Sequence, residues 1–431
     1  MTKIVVVGGG AGGLELVCKL GRKLGPDQVT LVDNKLYHIW KPSLHEVAAG
    51  TLDIHQEGLS YEMLAHDNGF TFVYGPMTGL REAAKLVVIG SIPGDDEELL
   101  LPERTVEYDY LAIAVGSTAN HFNVPGALEH TISLNGPQDA ERFRLRMLKL
   151  LTTAELQKKH DSTAGVNVVI IGGGATGVEL AAELREASAV HSRYGFRHLD
   201  PNMDVRLTLL EGAARILAPL PEKVSRAAAQ LLAKRHVAMQ TKCRVVAIRE
   251  DGVEDAEGRV YPADIIVWAA GIKSPPFLAT LGLPVTKSGQ LEVTRQLQVR
   301  GHADVYSFGD CAACEGEDGK LVPPRAQTAH QQADYLFETF MRLARGQRPS
   351  AAPYVYRDHG SLISLGTRTS VGNLMGNLFK ATWFVEGIFA RMMYVSLHLL
   401  HHKAVLGTLR TGVLAVARFL VKRATPLVKL H

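Results

Sequence analysis

Short apolar runs and glycine-rich turns alternate along the chain in a repeating order. The run KIVVV precedes GGGAGGLEL (8–16), and VNVVII precedes the nearly identical GGGATGVEL (172–180). A helical segment follows each copy, and a second apolar run then ends in an acid, VTLVD with Asp33 and VRLTLLE with Glu211. This order of strand, glycine turn, helix, strand and acid predicts a βαβ unit in each half of the chain.

The two halves share a further pattern. DYLAIAVG (109–116) and DIIVWAAG (264–271) both run from an aspartate through mostly apolar residues to a glycine seven positions later. The acid lies 25 residues after the first glycine in the first copy and 39 in the second, and we expect residues 188–202 to lengthen the second helix and its return loop. The fold class predicted is α/β, with two Rossmann-like dinucleotide-binding domains and a C-terminal amphipathic-helical region.

The domain boundaries follow from these units. GHADVYSFGDCAAC (301–314) reads as a strand that ends at Gly309 and Asp310, and the Pro-rich RGQRPSAAPY (345–354) as a linker. A second unit inserted into the first explains this order. We therefore predict a discontinuous first domain of residues 1–125 and 296–345, a second domain of residues 126–295, and a C-terminal region of residues 346–431.

The glycine turns predict phosphate binding. In G-x-G-x-x-G the first glycine permits a tight turn, the second lets a diphosphate approach the backbone, and the third lets helix and strand pack closely. Such glycines also serve plain packing, but here both copies have the strand, the helix and the acid. A carboxylate accepts hydrogen bonds from ribose hydroxyls and repels a 2′-phosphate, so Glu211 favours NADH over NADPH. The glycines in these places are Gly8, Gly10 and Gly13 in the first copy and Gly172, Gly174 and Gly177 in the second.

Two dinucleotide sites in one chain imply that one holds FAD and the other delivers NAD(P)H to it. Asp310 follows an apolar strand, and a carboxylate at a strand's carboxyl end suits a ribityl hydroxyl. Because Asp310 lies after the second unit but belongs with the first, we expect FAD in the first domain and NADH in the second.

The cysteines disfavour a disulfide reductase. The chain has four, and Cys18 is the only one in the first unit, where such enzymes carry a pair facing the flavin. The C-x-x-C pattern of CAAC (311–314) occurs in redox-active sites, in metal sites and as a structural feature. Because the sequence offers no second ligand pair, we take CAAC as structural and predict no metal site. So few cysteines in 431 residues, and an apolar run from residue 4 that leaves no room for a signal peptide, fit a reducing cytoplasmic setting.

The pattern of the C-terminal region predicts that the protein binds a membrane surface. The whole chain has a net charge of +3, which gives no reason to expect nucleic acid, but residues 380–431 hold eight basic residues and one acid. Within RTGVLAVARFLVKR (410–423), Val413, Val416 and Leu420 share one helical side with other aliphatic residues, and the basic residues fall on another. A helix packed on the protein's own core shows the same pattern, but the basic excess favours a helix in the membrane interface. No run is long enough to span a bilayer. A membrane-bound flavoprotein that oxidises NADH without a flavin-facing cysteine pair points to a lipid-soluble quinone as electron acceptor.

Nearly the whole chain resembles the type II, non-electrogenic NADH:quinone oxidoreductases, the single-subunit respiratory NADH dehydrogenases of bacteria. The similar segments include HIWKPSLHEVAAG (38–50), IIGGGATGVELAAEL (170–184), FGDCAAC (308–314) and VPPRAQTAHQQA (322–333); of these, AQTAHQ fits a specific family pattern. The resemblance implies FAD as tightly bound cofactor, NADH as substrate, and ubiquinone or menaquinone as acceptor. It also implies a peripheral position on the cytoplasmic side of the inner membrane, with a homodimer left open.

The resemblance also implies roles for single residues. FAD contacts are expected from Gly8, Gly10, Gly13, Asp33, Lys41, Gly116, Gly309 and Asp310, and NADH contacts from Gly172, Gly174, Gly177, Glu211 and Gly271. Glu179 matches a glutamate near nicotinamide and flavin, and Gln327 and Gln331 match a pair that lines the quinone site. A helix starting near Arg325 would project both glutamines from one face, although solvated surface glutamines show the same spacing. The alternatives are another quinone-linked flavoprotein, such as sulfide:quinone oxidoreductase, and a nucleotide-binding redox sensor.

Overall fold

The computed structural model describes residues 1–94, 98–366, 369–375, 382–424 and 428–429. Its helices occur in three groups: those that follow the glycine turns, those that connect the strands, and those of the C-terminal region. They are α1 (Ala11–Leu24), α2 (Leu44–Ala49), α3 (Ile54–Glu57), α4 (Tyr61–Asn68), α5 (Ala127–His130), α6 (Pro137–Gln157), α7 (Ala175–Tyr194), α8 (Glu222–Lys234), α9 (Ala326–Ala344), α10 (Gly387–Leu406) and α11 (Thr408–Ala424).

Two parallel five-stranded sheets form the centre of the two predicted units. The first has the order β23-β11-β1-β2-β5 and the second the order β13-β20-β14-β15-β16. The strands of the first sheet are β1 (Ile4–Val7), β2 (Val29–Asp33), β5 (Thr71–Tyr74), β11 (Tyr110–Ile113) and β23 (Val305–Ser307). Those of the second are β13 (Ile132–Ser133), β14 (Val166–Ile171), β15 (Val205–Glu211), β16 (Val237–Thr241) and β20 (Ile265–Trp268).

The predicted βαβ units are confirmed. In each sheet the strand before the glycine turn lies between the strand that ends in the acid and the strand that begins with the D-x₆-G pattern. β1 and β14 are almost completely buried, as expected for central strands covered on both faces. The second helix, α7, has 20 residues against 14 in α1, so the surplus before Glu211 does lengthen the helix.

The strand near residue 305 returns the chain to the first sheet. β23 pairs with β11 in parallel, beside β1. Leu278, Leu283 and Leu291 pack into the apolar core of this sheet as well, so the first core also draws on residues that precede 296.

Smaller sheets join or flank these two and were not predicted, because their strands are short and lack long apolar runs. One three-stranded antiparallel sheet consists of β6 (Met77–Arg81), β7 (Leu86–Ile89) and β10 (Arg104–Glu107), and another of β17 (Val245–Arg249), β18 (Gly252–Asp255) and β19 (Val260–Pro262). The two-stranded pairs are β3 (Tyr37–His38) with β4 (Leu59–Ser60), β8 (Ile92–Pro93) with β9 (Leu99–Leu101), β12 (Thr118–Ala119) with β21 (Ile272–Lys273), and β22 (Leu291–Glu292) with β24 (Ala312–Ala313).

The C-terminal region begins as a sheet that was not predicted and that precedes its helices. After α9 ends at Ala344, a segment without helix or strand leads to an antiparallel meander. Its strands are β25 (Gly360–Ser364), β26 (Ser370–Met375) and β27 (Thr382–Glu386). This sheet escaped prediction because each strand is stabilised by pairing with its neighbour rather than by a continuous apolar run.

Two helices complete the region. α10 packs against α1 and β26, and α11 covers the predicted amphipathic stretch. Arg410 pairs with Asp67 and Arg418 with Glu57, so these two cations of α11 face the first unit. The opposite side of α11 exposes Val413, Val416 and Leu420. Among the described residues, no helix is both long and apolar enough to cross a membrane.

Candidate functional site

The first and third glycines of both turns are required by close packing. A methyl group added to Gly13 would lie 1.9 Å from the carbonyl oxygen of Gly8, and one added to Gly177 would lie 2.0 Å from that of Gly172. Gly8 and Gly172 themselves have positive φ angles of 104° and 109°. The two turns therefore bring helix and strand together in the same way.

The middle glycines leave open space at the start of a helix. Gly10 and Gly174 are the N-cap residues of α1 and α7, and neither receives a side-chain cap. No protein atom lies within 4 Å of a methyl group built on either residue. The free N–H groups and the positive end of the helix dipole face this space, which suits a diphosphate.

The acids at the strand ends hold these turns. Asp33 accepts hydrogen bonds from the N–H of Gly9 at 2.6 Å and of Lys35 at 2.8 Å. Glu211 accepts equivalent bonds from Gly173 and Ala213, each at 2.6 Å. Burial raises the pKa of Asp33, although the N–H donors act in the opposite direction. Each carboxylate thus lies beside the turn where a ribose would follow the diphosphate.

Lys41, Gly116 and Asp310 come together although they lie far apart in sequence. The Lys41 ammonium donates to the carbonyl oxygen of Ser117 at 2.9 Å, and the Ser117 hydroxyl donates to Asp310 Oδ2 at 2.7 Å. Gly116 has a φ of 69°, and an added methyl group would meet nothing within 4 Å. The predicted flavin-side residues therefore border one open region at the carboxyl ends of the first sheet.

Gln332 supports this region and was missed by the sequence reasoning. Its side chain is 1% exposed, and its carbonyl oxygen accepts the N–H of Gly309 at 2.8 Å. It follows directly after Gln331 in the AHQQ segment, so its position was visible, but nothing in the sequence indicated that it faces the Gly309 turn.

The last predicted glycine lies where the two units meet. Gly271 has a φ of 68°, and an added methyl group would lie 2.5 Å from the ring of Phe122. The adjacent strand β21 pairs with β12, which follows Gly116. This short ribbon connects the open region of the first unit to the turn of the second.

Glu179 is buried where three parts of the chain meet. It lies on α7, where its Oε1 accepts the N–H of Ser364 at 2.9 Å and its Oε2 lies 3.6 Å from His45 Nδ1. His45 belongs to α2, just after Lys41, and Ser364 ends β25. Glu179 therefore links the second unit to the flavin side of the first unit and to the C-terminal sheet.

The two predicted glutamines share one face of α9, which begins at Ala326 as expected. Gln327 Nε2 donates to Tyr356 Oη at 2.7 Å and lies 3.3 Å from Asp358 Oδ1. Gln331 binds the backbone of Arg357 twice, donating to its carbonyl oxygen and accepting from its N–H. Both amides thus face residues 356–358, the segment that leads into β25.

The cysteines are unsuited to thiol chemistry. Cys18, Cys243, Cys311 and Cys314 are all buried and unpaired with one another. Burial raises the pKa of Cys314 to about 11 and that of Cys18 to about 12, so both remain thiols near neutral pH.

Comparison with known proteins identifies the class of this site. Residues 2–333 match the family described as pyridine nucleotide-disulphide oxidoreductase. The solved structure of NDH2 from Plasmodium falciparum in complex with NADH superimposes with a TM-score of 0.82 at 18% identity, covering 99% of this chain and 100% of the other. The sulfide:quinone oxidoreductase of Aquifex aeolicus reaches a TM-score of 0.72 at 19% identity, over 95% and 92% of the two chains. The chain has the pyridine nucleotide-disulphide oxidoreductase fold.

A relative in sequence narrows this class. The type II NADH:quinone oxidoreductase of Haemophilus influenzae is 35% identical over 447 aligned positions that cover 100% of both chains. The chain belongs to the type II NADH:quinone oxidoreductases.

Proposed function

We propose that this protein is a non-electrogenic NADH:quinone oxidoreductase that uses FAD and works at the cytoplasmic face of the inner membrane. The overall reaction is NADH + H⁺ + quinone → NAD⁺ + quinol. The observation that carries the proposal is that Glu179 contacts both α2, which follows Lys41, and Ser364 of β25. Lys41 is joined to Asp310 through Ser117, and Gln327 contacts Tyr356 in the segment that leads into β25. Two nucleotide turns and the glutamine pair thereby border one region that contains no reactive thiol among the described residues.

The first unit, residues 1–125 with 296–345, is assigned to FAD. The space at Gly10 accepts a diphosphate, Asp33 lies next to it for the ribose, and the open region at Gly116 and Asp310 accepts the ribityl chain and ring. When bound, the flavin supplies the two-electron chemistry between nicotinamide and quinone. Lys41 places a cation beside this region.

The second unit, residues 126–295, is assigned to NADH. Gly174 leaves room for the diphosphate, and Glu211 stands where a 2′-phosphate would be repelled. Glu179, held by Ser364, is placed to position the nicotinamide or to hold a proton close to the flavin side. Gly271 lies in the ribbon between the two units, at a point where a side chain would collide with the ring of Phe122.

The quinone is assigned to the side of α9 that carries Gln327 and Gln331. Neutral amides donate hydrogen bonds to quinone carbonyls and add no charge to an apolar pocket. The exposed aliphatic side of α11 belongs to the same C-terminal region as β25. Binding of α11 in the membrane interface would therefore bring the side of α9 that carries the two glutamines towards the lipid.

Anaerobic mixing tests the function directly. NADH should bleach the flavin absorption quickly, and a short-chain ubiquinone should restore it. Glu179→Gln should slow the bleaching, and Gln327→Ala should slow the restoration, while Gln157→Ala on the exposed end of α6 serves as the control for both steps.

Each competing function has its own outcome in this experiment. Bleaching by sulfide instead of NADH would favour a sulfide:quinone oxidoreductase. Slow bleaching that no quinone reverses would favour a redox sensor. If both site variants keep the rates of the control, the roles given to Glu179 and Gln327 are wrong even if the protein is an NADH dehydrogenase.

A further inference from the structure

A cluster of three potential metal ligands joins α1, α9 and α10. Glu15 lies on α1, His330 on α9 and His401 on α10, and each offers one ligand atom within 4.8 Å of the other two. Glu15 and His401 are buried and His330 is half-buried. Neither the nucleotide sites nor the glutamine pair uses these side chains.

Glu15 is already oriented towards an imidazole. Its Oε2 contacts His330 Nδ1, while its Oε1 accepts a hydrogen bond from Lys19 Nζ at 2.5 Å. Lys19 in turn pairs with Asp334, which offsets its charge. One carboxylate oxygen and one ring nitrogen are therefore held together between α1 and α9.

The hydrogen bonds of His38 determine which nitrogen of His401 has a lone pair. The Gly9 carbonyl oxygen can only accept, so His38 Nδ1, at 2.9 Å, carries the hydrogen. In the neutral ring with its hydrogen on Nδ1, Nε2 is an acceptor. His401 Nε2, 2.9 Å away, must then be the donor.

The remaining nitrogen of His401 is therefore a lone-pair donor inside the protein. In a neutral ring with hydrogen on Nε2, Nδ1 has no hydrogen, and His401 Nδ1 is buried without a hydrogen-bond partner. The side chain is 2% exposed. A buried polar atom without a partner costs free energy, and a bound cation removes that cost.

In a second cluster of one glutamate and two histidines, a cationic side chain of the protein lies among the potential metal ligands. Glu57, His398 and His402 are the same residue types, and their ligand atoms also lie within 4.8 Å of one another. There the guanidinium of Arg418 contacts Glu57 and lies 3.2 Å from His402 Nε2, so a cation is already provided by the chain. In the cluster around Glu15 the cation is Lys19, which binds the other carboxylate oxygen. Within the described part of the chain, no arginine is hydrogen-bonded to Glu15, His330 or His401.

We propose that Glu15, His330 and His401 bind one divalent transition-metal ion of the zinc type. One carboxylate and two neutral imidazoles are ligands that Zn²⁺ accepts with tetrahedral geometry, leaving the fourth position for water. The ion would connect the helix that follows the flavin-side turn, the helix of the glutamine pair and the C-terminal helix α10.

The test uses the untagged, flavin-loaded full-length protein, freed of metal by a chelator. Isothermal titration with Zn²⁺ should give one site per chain, and Co²⁺ in its place should produce the visible absorption of a four-coordinate ion. His330→Asn and the isosteric Glu15→Gln should each weaken binding by about tenfold or more, as expected when a metal site loses one of its supporting groups. His398→Asn, in the cluster occupied by Arg418, is the matched control and should bind as the wild type does.

Flavin absorption and circular dichroism establish that each variant is folded. Absence of a stoichiometric site in the wild type would overturn the proposal. Unchanged affinity in both His330→Asn and Glu15→Gln would also overturn it, since binding would then lie elsewhere. Loss of binding in the folded Glu15→Gln variant, with the control unaffected, would support it.

Discussion

At the scale of single residues, Gly10 and Gly174 are glycines that we assign to ligand binding rather than to folding. Both have ordinary negative φ angles, −65° and −73°, and an added methyl group meets no protein atom. Alanine at either position is therefore compatible with the folded chain. The methyl group would instead occupy the space assigned to a diphosphate.

This gives a matched pair of variants. We expect Gly10→Ala to lower the flavin content of the purified protein, and Gly174→Ala to keep its flavin but raise the KM for NADH by about tenfold, since crowding a close contact costs about 1–3 kcal/mol. Flavin absorbance per chain and steady-state kinetics measure the two effects. A Gly174→Ala protein that loses flavin and keeps its KM would reverse the assignment of the two units.

The buried thiols give a second prediction at this scale. Burial raises the pKa of Cys314 to about 11, so its reactive thiolate is scarce at pH 8 and becomes abundant only as the pH approaches 11. Iodoacetamide at pH 8 should label none of the four cysteines in the folded protein, all four in urea, and leave NADH:quinone turnover intact. Mass spectrometry counts the labels. Rapid loss of turnover during labelling would show that a thiol takes part in electron transfer.

At the scale of elements, α11 has two sides with different roles. Arg410 and Arg418 hold it to the first unit through Asp67 and Glu57, while Val413, Val416 and Leu420 on its aliphatic side are exposed. Burial of each large aliphatic side chain is worth about 1.5–3 kcal/mol, whereas each basic residue near anionic lipid adds about 1 kcal/mol. Apolar contact should therefore dominate the attachment.

Replacing Val413, Val416 and Leu420 together by serine should move most of the protein from the membrane fraction to the soluble fraction. High salt alone should release much less of the wild-type protein. Sedimentation with lipid vesicles measures both. The control replaces three exposed leucines elsewhere, Leu128, Leu145 and Leu156, and should stay on the membrane; release of this control to the same extent would remove the special role of α11.

At the scale of the whole molecule, α10 ties the C-terminal region to the flavin side. Val405 is fully buried in the core of the first sheet, and its carbonyl oxygen accepts a hydrogen bond from Arg22 of α1. A chain that ends at Leu406, without α11, should keep its flavin and leave the membrane. A chain that ends at Glu386, without α10 as well, should lose flavin during gel filtration. Equal flavin content in the two truncated chains would contradict this role of α10.

The sequence allowed prediction of those parts of the molecule that depend on local order. The βαβ units, the acids Asp33 and Glu211, and the start of α9 follow from periodicity and fixed spacing, and the structure confirms them. The C-terminal sheet and the contact of His38 with His401 did not follow. Both depend on pairing between separate segments, which lie 363 residues apart in the case of the two histidines. A periodic pattern within one segment does not indicate which other segment it will contact.

The contact between His38 and His401 also has a consequence for how the protein would lose its flavin. Because α10 reaches Gly9 of the first glycine turn through these two imidazoles, we expect detachment of the C-terminal helices to loosen the turn to which the flavin is assigned. A fragment cut free by a protease would therefore release its flavin.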